Sequence, residues 1–219
     1  MPKSDRSKLA DPFQAALAKA IPRMDDEATF RLRSELSTIR AILSTGKPDR
    51  ELLGAVERTL TAVGRLHSFA NEVKGFVVSK DYSEKASLFD IGSIGILAVE
   101  NVLTADHVSL FRLLMSGLSE GLAFLASRQY IYGTAAVLES LYRTHSATLY
   151  DDLWTLAVEF RGPLDENAAR EVQGGLDTFF AKLSAPGVPV DARVAALYQM
   201  YGILVLVRCA DLFQRLTKS

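Results

Sequence analysis

With one cysteine in 219 residues, Cys209, the chain cannot close an internal disulfide, which removes the stapled scaffolds of small secreted domains. Cys209 belongs to the apolar stretch that begins at Ile203 and reads as a small buried hydrophobe in a reducing, cytoplasmic setting. Three histidines are too few for a histidine-rich metal centre. Carboxylate-bridged centres in helical bundles use Glu-x-x-His pairs, yet Glu100, Glu120, Glu139 and Glu159 are each followed three residues later by something other than histidine. Neither a zinc cysteine pattern, an H-E-x-x-H sequence, a phosphate-cradling glycine loop nor a nucleophile elbow occurs. The expectation is therefore no metal, no cofactor and no catalytic residue assignable by motif.

An excess of either charge is also missing. Lys and Arg number 25 against 26 Asp and Glu, a formal charge of −1, so no global field draws the chain to nucleic acid or anionic lipid. Tyr130, Tyr132 and Tyr142 with Arg128 and Arg143 carry the RNA-binding alternative, but no distinct basic footprint accompanies them. The apolar stretches are interrupted by Glu100 and Asp106, by Arg112 and Glu120, and by Arg208 and Asp211. None of them offers the ~20 clean apolar residues of a membrane span, and no membrane insertion is expected. Met1 to Lys8 is polar and mixed in charge, which does not read as a signal peptide.

What is present is an ordinary globular composition, 48% apolar and 23% charged, with helical periodicity almost throughout and no extended strand alternation. The fold class expected is all-α: a single domain over 1–219, a bundle of about seven to nine helices. Residues 1–8 read as a flexible tail and 9–22 as a peripheral arm helix, opened by Asp11 and Pro12 as cap and first helical residue and closed by Pro22. Asp25, Asp26 and Glu27 load the first turn of a second helix with stripe Leu32, Leu36, Ile39 and Leu43. Pro48 and Asp49 start a third helix to about Val78, with Leu53, Val56, Leu60, Val63, His67, Ala70 and Val77 at heptad-like spacing.

A fourth helix through Leu88, Ile91, Ile94, Leu97 and Val102 precedes the most apolar one, near 105–127. There Val108, Phe111, Met115, Leu118, Leu122 and Leu125 form one seam, and a face so wide belongs at the centre of a bundle. Downstream, Tyr132–Tyr142 and Leu149–Phe160 read as two helices or one kinked near Thr144 and His145, ended by Arg161, Gly162 and Pro163. Asp165 caps the next, whose Gly174 and Gly175 suggest a kink or a close backbone contact. After the loop from Ser184 to Val190, Asp191 caps a last helix to about Leu216.

Among single residues, His67 stands out on a core stripe and Arg208 follows five apolar residues. If Arg208 is buried it needs a partner, of which Asp211 is the nearest in sequence. His107 and His145 read as surface histidines. The pairs Asp25–Asp26 and Asp151–Asp152 read as helix starts rather than Mg²⁺ ligands, and Glu139 with Arg143 as an i, i+4 surface pair. The leading functional expectation is association, with a homodimer formed through apolar helix faces. The alternative is a small-molecule or enzymatic pocket between helices, lined by His67, Arg208, Phe111, Met115, Tyr198 and Tyr201.

Overall fold

The computed structural model describes residues 3–20, 26–45, 49–73 and 134–218. Within them the chain is all-helical, with six helices and no strand, against the seven to nine expected for the whole chain. The expected central helix near 105–127, with Phe111, Met115 and His107, lies outside the described residues, as do the fourth helix, Val77 and Asp25.

The first helix, α1, spans Lys3–Ala20 and carries Pro12 in its interior. Asp11 and Pro12 therefore do not open a helix as expected. Phe13 is fully buried and Leu9, Ala10, Ala16, Leu17 and Ala20 join it in the core, so α1 packs with the other described helices. Helix α2, Asp26–Leu43, carries Asp26 and Glu27 in its first turn and buries Leu32, Leu36, Ile39 and Leu43, the stripe its periodicity predicts. At about 1.5–3 kcal/mol for each such side chain, those four hold α2 to the domain.

In α3, Arg50–Val73, the buried residues are Leu52, Ala55, Val56, Thr59, Ala62, Val63, Leu66 and Phe69. The stripe is rotated from the expected one: Val56 and Val63 belong to it, while Leu53, Leu60, His67 and Ala70 lie on its half-buried flank. The expected stripe stepped along heptads, whereas a straight helix of 3.6 residues per turn drifts about 20° per heptad. Asp49 starts α3 as expected, its Oδ1 accepting from the amide of Leu52 at 3.0 Å.

One unbroken helix, α4, covers Ala135–Arg161 and ends at Gly162, whose φ of 78° continues no helix. The helix is unbroken at the weak point expected around His145, and His145 itself is buried. Helix α5, Glu166–Leu183, is capped by Asp165, which accepts from the amides of Asn167 and Ala168, and it buries Val172, Leu176, Phe179 and Leu183. It continues through Gly174, where an added Cβ would meet nothing within 4 Å, so no close backbone contact explains that glycine.

The last helix, α6, runs Val190–Thr217, with Pro189 at the cap position and Asp191, expected there, two residues further on in the first turn. Every residue from Val194 to Leu212 is buried. Helices α1, α3 and α4 each pack against α6, and that enclosure makes it the axis of the described core. By length and composition α6 could cross a membrane, but 83% of its most apolar window is buried inside the protein. The rest of the layout follows from neighbours in the chain: α1 packs on α2, α2 on α3, and α4 on α5.

Candidate functional site

The enclosure of α6 leaves its buried polar residues dependent on partners within the protein. Arg208 is 7% exposed, and its guanidinium is paired with Glu159 of α4 while lying 5.8 Å from the centre of the Phe160 ring. Asp211, the expected partner, instead accepts from Nε of Arg215 at 2.7 Å. Arg58 of α3 approaches the second oxygen of Glu159 at 3.1 Å, so one carboxylate serves two guanidiniums. Burial lowers the pKa of Arg208 from its ordinary value, and the hydrogen bond to Glu159 works against that.

One heptad along, Arg65 of α3 pairs with Asp152 of α4. Asp152 is thus an ion-pair partner in the interior of α4 and not a helix-starting carboxylate, because α4 has no break at that point. A further heptad on, Glu72 Oε2 lies 3.1 Å from His145 Nε2. His145, expected at the surface, is 9% exposed; its ring packs 4.4 Å from the Phe69 ring, centre to centre. His145 Nδ1 is 3.4 Å from the hydroxyl of Tyr201, which also donates to the carbonyl oxygen of His145 at 3.3 Å. Burial pushes the Tyr201 hydroxyl up to about 12, with Arg65 acting to lower it and Glu72 to raise it.

Of the residues singled out in the sequence, Arg208, Tyr198 and Tyr201 therefore lie in the buried seam between α3, α4 and α6, and Phe69 bridges the last two, its ring 6.1 Å from Tyr198 and 5.5 Å from Tyr201. His67 does not join them. It is half-buried on the flank of α3, its Nε2 meeting Asn71 at 3.0 Å. The two histidines exchange their expected roles, since the position of α6 decides which face of each neighbouring helix turns inward. Glu72, Arg65, Asp152 and Glu159 were missed as partners. Their signal was the seven-residue spacing of 58, 65 and 72 against 145, 152 and 159.

Carboxylate, imidazole and hydroxyl stand in sequence at Glu72, His145 and Tyr201, the order of groups in a nucleophilic triad. Tyr201 has no exposed surface, so its hydroxyl faces protein rather than substrate, and the arrangement ties three helices together. Elsewhere, Tyr150 donates to Asp177 at 3.0 Å, linking α4 to α5. Glu139 pairs with Arg143 at 3.3 Å as its spacing predicts. Cys209 is fully buried, and burial raises its thiol pKa; an inert thiol follows.

A cleft of about 350 Å³ opens where the starts of α1 and α3 meet the end of α6, lined by Arg6, Asp49, Glu51, Asp211, Arg215 and Lys218 among others. Its charges are largely paired within the wall, Arg6 with Asp49 and Arg215 with both Asp211 and Glu51. Burial acts to lower the pKa of Arg215, but those two carboxylates outweigh it and raise the value. Among the described residues no three His, Cys, Asp or Glu side chains stand together as a metal site would require. Compared with known proteins, the chain matches no family model, no curated protein and no solved structure.

Proposed function

We propose that this protein works by association, pairing with a second copy of itself through the outer face of α2. The observation that carries the reading is Phe30, which is 70% exposed on a helix whose buried stripe faces the opposite way. Along the same outer line lie Ser34, Ser37, Ala41 and Thr45, with Thr38 and Ser44 beside them, all exposed and none charged. Four of these hydroxyls return their protons to carbonyls of their own helix: Ser37 to Arg33, Thr38 to Ser34, Ser44 to Arg40 and Thr45 to Ile42. A face in which hydroxyl donors are already occupied costs less to dehydrate than one with free donors. Of the charges around it, Arg31 pairs with Glu27 and Arg40 with Glu57.

An 18-residue helix offers a contact about 27 Å long, at the low end of what a stable dimer buries. The expected dimer is accordingly concentration-dependent. Native mass spectrometry and light scattering across the micromolar range test this: the wild type shifts from 24.0 kDa to twice that mass, and Phe30→Glu, an exposed change that leaves the core intact, stays monomeric. A wild type that remains monomeric throughout that range overturns the reading.

A further inference from the structure

The bridges between α3 and α4 have a common register. Arg58 meets Glu159, Arg65 meets Asp152 and Glu72 meets His145, each step of seven residues up one helix matching seven down the other. The two helices have little direct backbone contact, because α6 lies between them and packs on both. The bridges therefore span α6 as side chains alone. On the α6 side, Arg208 and Tyr201, also seven apart, meet the α4 ends of the first and last bridges, Arg208 at Glu159 and Tyr201 at His145.

We propose that the Arg58–Glu159 and Arg65–Asp152 bridges form an ionic clasp over α6 which salt releases, opening the seam between α3 and α4 down to Tyr201 and Arg208. The charges favour release as a unit. Over two heptads α3 presents only guanidiniums, Arg58 and Arg65, to carboxylates on α4, so screening weakens both pairs together. The α3 ends are reachable by ions, with side chains 38%, 38% and 43% exposed for Arg58, Arg65 and Glu72, while the α4 ends are 11–22% exposed.

Closure also leaves the seam incompletely satisfied. Asp152 Oδ2 is buried without a hydrogen-bond partner, and opening returns it to water, offsetting part of what the bridges contribute. Phe69 of α3 also packs on His145 of α4, while the helix-to-helix contacts of both are made to α6, so the seam parts at the bridges and at that ring contact while α6 stays packed.

Hydroxyl-radical footprinting read by peptide mass spectrometry, with Phe179 of α5 as internal reference, tests the clasp. Between low salt and about 1 M sodium chloride, where the screening length falls to about 3 Å, oxidation of Tyr201 rises several-fold over Phe179 while the circular dichroism spectrum is unchanged. The variant Arg65→Gln with Asp152→Asn shows the raised level at low salt already, and the exchange Arg65→Asp with Asp152→Arg restores salt-dependent protection. Tyr201 protected at both salt concentrations in the wild type overturns the proposal. So does a rise shared equally by Phe179, which would mean general unfolding.

Discussion

His145 of α4 and Glu72 of α3 meet at 3.1 Å across 73 positions of the chain. The imidazole is held on its other side by Tyr201 and on its face by Phe69, so this contact joins three helices rather than two. Glu72 is 43% exposed at its side chain and His145 only 11%, and the partners should respond unequally to substitution.

Replacing His145 with alanine removes a buried ring and both of its hydrogen bonds, and should destabilise the fold by about 2–4 kcal/mol. Glu72→Gln, at the exposed end, should cost no more than about 1 kcal/mol. Urea denaturation of the two single variants and the double variant measures this. The double variant should be little less stable than His145→Ala alone, since the shared interaction is already gone.

Glu159 and Arg208 should show the asymmetry of buried ion pairs. Glu159→Gln leaves the Arg208 guanidinium buried with its main counter-charge gone, for an expected loss of about 3–5 kcal/mol. Replacing both, Glu159→Leu with Arg208→Met, substitutes apolar packing for the pair and should recover most of that stability. Thermal melts rank the variants. If Glu159→Gln and the double replacement melt together, Arg208 draws its stabilisation from another partner.

Tyr201 sets an alkaline limit. Its folded-state pKa, pushed up to about 12 by burial, exceeds the ordinary value of 10, so its contribution is fully present below about pH 10. As pH rises from there towards 12 the unfolded chain ionises first, and stability is lost. Melting temperatures of the wild type should fall across that interval, and those of Tyr201→Phe should fall less. Equal slopes would mean that Tyr201 does not ionise differently in the two states.

Helices with a dry face and a wet face were legible in the sequence. Leu32, Leu36, Ile39 and Leu43 of α2 and Val172, Leu176, Phe179 and Leu183 of α5 repeat by four, three and four, and all eight are buried. Asp165 announces its cap because the cap bonds to amides two and three residues away. Arg208 was legible as a residue needing a partner but not for which one, since Glu159 lies 49 positions away. His67 and His145 were misread for a related reason. Periodicity reports which side of a helix is apolar only to within the width of its flank, and α3 offered two neighbouring stripes.

Local backbone chemistry thus settled the all-α class, several helix ends and the inward faces of α2 and α5, because those depend on residues within one or two turns of each other. Tertiary structure alone decided that α6 is enclosed, that α3 and α4 meet across it in one register, and that His145, Tyr201 and Arg208 turn into the same seam. These are contacts between residues 49 to 101 positions apart, and their partners are chosen by how helices pack against one another, which no spacing within a single helix encodes.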